Sequence, residues 1–499
     1  MDYITIKNNQ RIAFAEIPVL DYDTFYKTLT DNLLSQSDAH CVNYYGVQAD
    51  KGVQLICCIA HDKAQNISVL STIVSKSDTL QSITATYPAF HLFEREIHEN
   101  FGIGFSGHPW LKPVRYPHNA ADRSATIADY PFYKIDSEEL HEVGVGPIHA
   151  GIIEPGHFRF ICNGEQILHL EIQLGYQHRG VESLFLKKTK LLERATLAEN
   201  IAGDTVIGHS TAFANAWESL CGFTPDRQLQ IERAFALENE RIAIHTGDLS
   251  GICTDIAYQL GNSVFGRLRT PVINYFQRWA GNRFAKGLIR PGKTNFGLTA
   301  DLTKQWLEMI AAYRPDFVEM ANQTFDLPSV LSRIERTGIV EPETAQRIGM
   351  VGMAARASNV ARDIRASHPW GYYTSIQYQP VTEPVGDVYC RARIRHDEIL
   401  RSIDMMTEMI DSMDYKPQTA TPLTKAAADS FVVSLVEGWR GEICHCAITD
   451  ANGELKHYKI KDPSFHNWLG LALAVRNNEI SDFPICNKSF DLSYSGHDL

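Results

Sequence analysis

The chain has 499 residues, of which 44% are hydrophobic and 21% are charged, and its formal net charge is −12. This length exceeds what one hydrophobic core normally supports, so we expect two or three domains, and the ordinary composition argues against a disordered protein. An acidic chain without a basic stripe is a poor candidate for binding nucleic acid or an anionic lipid surface.

No segment predicts membrane insertion or secretion. The longest clean apolar run, roughly residues 469–475, is far shorter than a bilayer span, and the first ten residues lack the pattern of a secretory signal. The ten cysteines include no Cys-x-x-Cys pair, which predicts buried apolar thiols and no metal bound by this chain. These features predict a cytoplasmic chain, which still allows attachment to a membrane complex.

The first part of the chain mixes helical and strand patterns. Residues 21–34 have helical spacing, and the compact apolar runs 53–60 and 68–74 are typical of buried strands. The segment 89–105 carries an apolar helical stripe that ends at a Gly-x-Gly. Residues 106–140 are polar and rich in proline, which predicts a strap between two domains.

The second part opens with a hairpin signal and continues with helices. Asn163-Gly164 lies between two strand patterns and predicts a two-residue turn. Helical patterns follow over 181–365, and we expect four prolines to interrupt them: Pro225, Pro271, Pro291 and Pro342. From residue 431 the pattern predicts an antiparallel meander, followed by a helix over 465–476 and a short polar tail, 490–499.

Three short segments combine residues suited to chemistry. His178 and Arg179 stand in a glycine-bounded turn before a helix, and Arg241 and His245 are four residues apart on one helical face. Arg440 lies between two glycines at the end of a strand, where its guanidinium could enter a cavity. The structural alternatives are a satisfied core pair for Arg241 and His245, and a salt-bridged turn residue for Arg440.

Taken in order, the motifs resemble one family. Residues 88–113 resemble the signature of the 30-kDa subunit of respiratory complex I. Residues 144–499 resemble its 49-kDa subunit and the homologous large subunit of membrane-bound nickel–iron hydrogenases. The matching segments are GPIHAGIIEPGHFRF, LGYQHRGVESL, ENERIAIHTGDLSG, GDVYCRARIRHDEILRS, VEGWRGE, KIKDPSF and the spaced motif Gly349–Arg365. The fusion is most similar to the large subunit of energy-converting (group 4, formate-hydrogenlyase-type) hydrogenases.

The resemblance implies an α+β fold in two parts. A small mixed α/β domain (1–120) is expected to precede a linker (121–143). A large helical-bundle domain (144–499) with peripheral antiparallel β hairpins, like that of the hydrogenase large subunit, is expected to follow.

The sequence departs from the hydrogenase pattern at the metal ligands. The family holds nickel with four cysteine thiolates, and the matching positions here are Ala202, Thr205, Ser464 and Asn467. Because a nickel–iron centre needs soft, deprotonated sulfur ligands, we expect no nickel–iron site and no hydrogenase activity. The hydrogenase family also loses a C-terminal extension after metal insertion, and no such extension follows the second motif in this sequence.

The quinone contacts of complex I are also altered. The family histidine of the hairpin is replaced by Pro155, although His157 is close in sequence, and residues 200–205 contain no tyrosine. The chain thus resembles a third group on the same scaffold, the energy-converting hydrogenase-related complexes, whose large subunits lack the metal ligands.

The resemblance assigns roles by position. His178, Arg179, Arg241 and His245 are expected near an iron–sulfur cluster held by a partner subunit. The cavity left without metal is expected to be lined by six side chains, which are Asp204, His209, Arg440, Glu442, Asp462 and Ser464. Its acids and histidine could relay protons. The structural alternatives are capping or turn bonds for Asp204 and Asp462, and a satisfied buried histidine for His209.

Three functions remain open at this stage. The chain is a catalytic subunit that reduces a quinone or another acceptor, a non-catalytic coupling subunit that links electron transfer to proton movement, or an assembly scaffold. In each case it carries no cofactor of its own and lies peripherally on the cytoplasmic side of the inner membrane. The expected partners are an iron–sulfur small subunit, a ferredoxin-like subunit and integral membrane subunits.

Overall fold

A computed structural model describes residues 2–149, 153–415, 423 and 425–499. The hairpin position Ile152 and its neighbours Ala150 and Gly151, which belong to one of the family motifs, lie outside the described residues. Within the described ranges, no helix is both long enough and apolar enough to cross a membrane.

The strands, in chain order, are β1 (Ile4–Ile6), β2 (Ile12–Ala13), β3 (Val19–Leu20), β4 (Ala39–Ala49), β5 (Gly52–His61), β6 (Asn66–Val74), β7 (Thr79–Gln81), β8 (Gly104–Ser106), β9 (His141–Val145), β10 (His157–Asn163), β11 (Gln166–Gln173), β12 (Ile289–Arg290), β13 (Lys293–Thr294), β14 (Ser430–Glu437), β15 (Glu442–Thr449) and β16 (Leu455–Lys461). The helices are α1 (Tyr22–Lys27), α2 (His91–Phe101), α3 (Val181–Lys187), α4 (Leu191–Ala198), α5 (Val206–Cys221), α6 (Arg227–Asp255), α7 (Gln259–Ala280), α8 (Ala300–Asp326), α9 (Pro328–Ile334), α10 (Pro342–Arg347), α11 (Gly352–Arg356), α12 (Ile364–Ser367), α13 (Val388–Asp411), α14 (Ser464–Ala474), α15 (Phe483–Phe490) and α16 (Tyr494–Asp498). The α+β fold class predicted from the sequence is confirmed.

The first sheet is built on a continuous antiparallel set, β4-β5-β6-β1, and β3 pairs with β6 in parallel. The predicted strands 53–60 and 68–74 correspond to β5 and β6, whereas β4 has no counterpart among the predicted strands. Helix α2 covers one face, and its C-terminal Gly102 adopts the left-handed conformation (φ 80°), as the predicted Gly-x-Gly ending requires. Phe465 from α14 is buried in the same core.

The predicted meander forms a second sheet in the order β16-β15-β14-β2. Its two central strands, β14 and β15, are buried along their whole length. Strand β2 comes from the start of the chain, so the first segment supplies an edge strand to the sheet of the second. The boundaries proposed for the two domains stay a prediction.

The third sheet confirms the hairpin signal. Strands β10 and β11 pair in antiparallel fashion around Asn163 and Gly164, with a positive φ of 56° at the glycine, and β9 completes the sheet. Strand β8 ends at the first residue of the strap 106–140. The rest of the strap contains one short 3-10 turn, Ile127–Asp129, and this irregular backbone agrees with the proline-rich pattern.

One of the expected helix breaks is wrong. Helix α7 runs through Pro271, which is exposed to solvent, while its neighbours Leu268 and Val272 are buried against the core. The loss of one backbone hydrogen bond on the solvent side is outweighed by this burial. Pro342 begins α10, and Pro225 and Pro291 lie between elements.

The C-terminal tail is polar in sequence but buried in the structure. Helix α16 places the Asp498 carboxylate against the backbone N–H groups of Gly175 and Gln177, both at 2.8 Å. The tail therefore fixes the turn that carries His178 and Arg179.

Candidate functional site

The candidate site is built around the turn that joins β14 to β15. Gly438 and Gly441 exchange backbone hydrogen bonds of 2.9 and 3.0 Å across this turn. The turn lies directly against Gly352 at the start of α11, where φ is 69° and an added Cβ would lie 1.9 Å from the Arg440 carbonyl oxygen. This close backbone approach fixes the position of Arg440.

The Arg440 guanidinium is held on three sides. Its Nη1 and Nη2 donate to the two carboxylate oxygens of Asp204 at 2.6 and 2.7 Å, and Nη1 also donates to the Thr205 hydroxyl at 3.1 Å. Its Nε donates to the backbone carbonyl of Asp491 at 2.5 Å, and the guanidinium stacks on Trp439. Burial opposes the charge of Arg440, but Asp204 more than compensates and holds the pKa of Arg440 above its ordinary value.

Of the four positions that match the family's nickel ligands, three engage protein groups through their side chains. Thr205 accepts from Arg440, and Ser464 accepts the backbone N–H of Ser493 at 2.9 Å. The amide of Asn467 forms two 3.0 Å hydrogen bonds with the backbone of Val351. The fourth, Ala202, is buried and carries no donor atom. Neutral hydroxyl and amide groups beside a guanidinium do not suit a soft cationic centre.

A row of hydrogen-bonded side chains leads away from the site. Asp462 meets His209 Nε2 at 3.0 Å, His209 Nδ1 meets His445 Nε2 at 3.1 Å, and His445 Nδ1 meets the Tyr458 hydroxyl at 2.7 Å. One arrangement of protons satisfies all three bonds with neutral histidines: Tyr458 donates to His445, His445 to His209, and His209 to Asp462. We call these four residues the relay.

The charge states agree with that arrangement. Burial would raise the pKa of Asp462, but the hydrogen bond from His209 lowers it below its ordinary value, which favours the carboxylate. Burial, with the neighbouring His209, holds the pKa of His445 well below its usual range, which favours the neutral imidazole. The hydrogen bonds of the relay therefore run in one direction, from the Tyr458 hydroxyl to an ionised acceptor at Asp462.

Tyr458, the outer residue of the relay, borders a cavity of about 320 Å³ between the first and second parts of the chain. Tyr458 lines this cavity together with Glu182, Lys459 and His178. Lys459 forms ion pairs with Glu96 and Glu182, so the cavity wall is charged and suited to water.

The position of Glu442 in the motif predicts that it lines the cavity left without metal. In the structure its carboxylate makes a different contact. It accepts a 2.7 Å hydrogen bond from His40 of β4 and forms a buried ion pair with Lys461. Burial opposes ionisation, but Lys461 and His40 hold the pKa of Glu442 well below its usual range. Glu442 thus joins the second sheet to the first.

The two expected cluster-proximal pairs occupy separate places. Arg241 and His245 are fully buried on α6 and both contact Glu398, at 3.4 and 3.0 Å. His178 Nδ1 contacts the Asp498 carbonyl oxygen at 2.8 Å, and Arg179 donates to the backbone carbonyls of Asn200 and Ile201. No hydrogen bond or ion pair joins one pair to the other among the described residues. Their nearness to a partner's cluster stays a prediction.

Sequence reasoning missed several functional candidates. His445 and Tyr458 complete the relay, and the signal for His445 is a histidine inside the otherwise apolar strand ICHCAI. Glu240 was also missed: its carboxylate accepts the N–H groups of Ile207 and Gly208 at 2.8 and 3.2 Å. Burial, with some contribution from Asp204, raises the pKa of Glu240 to about 8.

Comparison with known proteins gives two family matches. Residues 17–132 match the 30 Kd subunit of respiratory-chain NADH dehydrogenase, and residues 262–431 match its 49 Kd subunit.

Formate hydrogenlyase subunit 5 of Escherichia coli is 26% identical to this chain, and the similarity covers 99% of this chain and 88% of that protein. Hydrogenase-4 component G of E. coli is 25% identical, with coverages of 99% and 87%. An NADH-quinone oxidoreductase subunit of Phocaeicola vulgatus is 23% identical, with coverages of 83% and 85%. One polypeptide therefore carries segments that match the 30 Kd and the 49 Kd families, and over nearly its whole length it is homologous to formate hydrogenlyase subunit 5 and hydrogenase-4 component G.

The contact at Gly352 predicts a strong effect of substitution. Gly352→Ala should lower the free energy of unfolding by about 3 kcal/mol or more, because the steric clash with Arg440 adds to the strain of positive φ. Denaturant unfolding measures this change. Gly203→Ala is the matched control, since no atom lies within 4 Å of its added Cβ, and equal losses in both variants would contradict the role of the contact.

The raised pKa of Glu240 predicts a pH-dependent stability difference. A carboxyl that titrates near 8 when folded and near 4.5 when unfolded holds more protons in the folded state, so its contribution weakens as pH rises through this window. Glu240→Gln should therefore gain stability over the parent by up to about 1.4 kcal/mol per pH unit between pH 5 and 8. Urea unfolding at several pH values measures this difference. A constant difference, or the same trend in the exposed Glu308→Gln control, would contradict it.

Proposed function

We propose that this chain couples electron transfer to proton movement in a membrane-associated oxidoreductase complex, without a nickel–iron centre. The chain is related to subunits of complex I and of energy-converting hydrogenases, which makes it a member of that class of complex. The contacts of the candidate site support two further points, namely that the chain couples electron transfer to proton movement and that it does so without nickel. The single observation that carries the proposal is the engagement of the former ligand positions by Arg440 and by backbone groups.

The donor set argues against a nickel–iron centre. Thr205 bonds to a cation, Asn467 bonds to the backbone of Val351, and Ser464 bonds to Ser493. A divalent metal at this place would have to displace these bonds and lie beside a guanidinium that is fixed by Asp204. The proposed proton movement therefore does not involve a nickel–iron centre in this chain.

The relay supports proton movement. If a partner subunit held an iron–sulfur cluster near the site, an added electron there would favour proton uptake by the Asp462 carboxylate, which accepts the hydrogen bond of His209. A shift of protons along the relay then protonates Asp462 and leaves Tyr458 to be reprotonated from the cavity at its outer end. Docking of an iron–sulfur small subunit, a ferredoxin-like subunit and membrane subunits is part of this proposal.

The other two functions draw less support from the site. A quinone-reducing role would need ligands for the quinone carbonyls, and Pro155 has replaced the family histidine while residues 200–205 lack a tyrosine. A pure scaffold does not require a continuous relay of four buried polar side chains, whose desolvation is costly unless every bond is made.

The first test is metal content. The intact complex, purified from cells grown with nickel, should contain iron and acid-labile sulfide but only trace nickel, because the four positions offer no thiolate. Elemental analysis of the complex gives the result directly.

Ala202→Cys provides the accompanying control. This variant should remain free of nickel, since three further ligands would still be missing, whereas a nickel–iron hydrogenase produced in the same cells should be loaded. Stoichiometric nickel in the parent complex would refute the proposal.

The second test removes one hydroxyl from the relay. Tyr458 stacks on Phe185 with ring centroids 4.3 Å apart, so Tyr458→Phe keeps the packing and loses only the bond to His445. When the complex is reduced with methyl viologen radical, proton uptake followed by a pH indicator should slow by about 100-fold. Reduction of the cluster, followed by electron paramagnetic resonance, should be unchanged.

Tyr275→Phe is the matched control for this test. Tyr275 is also buried, and its hydroxyl has no hydrogen-bond partner among the described residues. If Tyr458→Phe and Tyr275→Phe take up protons at the parent's rate, the relay does not carry protons and the scaffold function is favoured.

A further inference from the structure

A second, larger cavity lies under the strap and away from the relay. Its volume is about 660 Å³, within the range of small-molecule sites, and it is bounded by the strap, strand β11 and helix α14. We call it the strap cavity. The side chains on its wall are mainly apolar or aromatic, and they include Trp110, Leu111, Tyr130, Leu170, Trp468 and Leu469.

The only carboxylate on the described wall of the strap cavity is already neutralised. Glu171 accepts hydrogen bonds from Lys112 Nζ at 2.5 Å, from the Tyr130 hydroxyl at 3.1 Å and from the backbone N–H of Tyr133 at 2.7 Å. These three bonds also hold the strap against strand β11 at the edge of the cavity. Glu171 therefore offers little negative charge to a ligand.

Two guanidinium groups on the same wall have no acidic partner within the described chain. Arg95 is buried, donates to the backbone carbonyls of Lys112 and Pro113, both at 2.8 Å, and also interacts with the Tyr130 hydroxyl. Arg476 lies at the rim, where its Nη2 contacts His169 Nδ1 at 3.3 Å. The histidines add no charge, because burial lowers the pKa of His91, His169 and His497. The cavity thus combines an apolar wall with about two uncompensated positive charges.

We propose that the strap cavity binds a small molecule that carries one anionic group on an apolar body, such as a long-chain or aromatic carboxylate. The aromatic side chains of Trp110 and Trp468 contact the apolar body, and Arg476 at the rim binds the anionic group, while the charge of Arg95 on the same wall adds to the attraction. The net charge of −12 disfavours binding to an anionic bilayer, so the ligand enters as a single molecule rather than as part of a membrane surface.

Calorimetric titration of the full chain tests this proposal with two pairs of probes. Decanoate is compared with 1-decanol, and 2-naphthoate with 2-naphthol. At least one anion should bind tenfold or more tightly than its neutral counterpart, because the charge-assisted bond is lost in the alcohol. Preference for decanoate indicates a lipid-derived acid, and preference for 2-naphthoate indicates a soluble aromatic acid.

Variants locate the site. Arg476→Gln should weaken binding of the preferred anion about tenfold and leave the neutral counterpart unchanged. Arg283→Gln, an exposed arginine outside the cavity wall, should bind like the parent. Absence of binding by both anions, equal affinity for the neutral probes, or an equal loss in Arg283→Gln would overturn the proposal. Binding to phosphatidylglycerol vesicles without binding of either anion would also overturn it.

Discussion

The site is organised by the ion pair between Arg440 and Asp204. The guanidinium is placed by a turn whose backbone packs against Gly352, and the carboxylate lies next to Thr205, one of the altered ligand positions. Because Arg440 also donates to the backbone of Asp491, one side chain joins the central sheet, the start of α5 and the C-terminal segment. A permanent cation therefore lies beside Thr205, one of the positions that the family resemblance aligns with a nickel ligand, and the surrounding acids are arranged to balance it.

A second set of buried charges lies behind this turn. Arg241, Arg356 and Arg365 alternate with Glu238, Glu398 and other acids in a network from which solvent is excluded. Removing one member of such a network leaves another charge unpaired in a medium of low polarity. The network supports the Arg440 turn directly, because Arg241 donates to the backbone carbonyls of Glu437 and Gly438. Burial, with a contribution from Asp363, raises the pKa of the Glu437 carboxyl in this network to about 7.

Much of the fold followed from local patterns, whereas the pairing within the site did not. The Asn163-Gly164 turn and the meander from residue 431 were predicted because turn chemistry and two-residue alternation are local properties. Helix α7 continues through Pro271 because tertiary burial outweighs the local cost. The partners of Glu442 and His209, namely His40 and His445, are 402 and 236 residues away, so no local spacing reveals them. The motifs identified Arg440 and Asp462, but only the fold shows that one closes an ion pair and the other ends a relay.

Helix α14 connects the two parts of the chain in a way that bears on how the protein is assembled. Its first residues carry Ser464 and Asn467 of the site, yet Phe465 between them is buried in the core that the first sheet forms with α2. The geometry of the segment that begins at Asp462 therefore depends on a core that is built mostly by residues near the start of the chain. A substitution that loosens the packing between the first sheet and α2 would thus displace Phe465 and, with it, the inner end of the relay, although the two places are far apart in sequence.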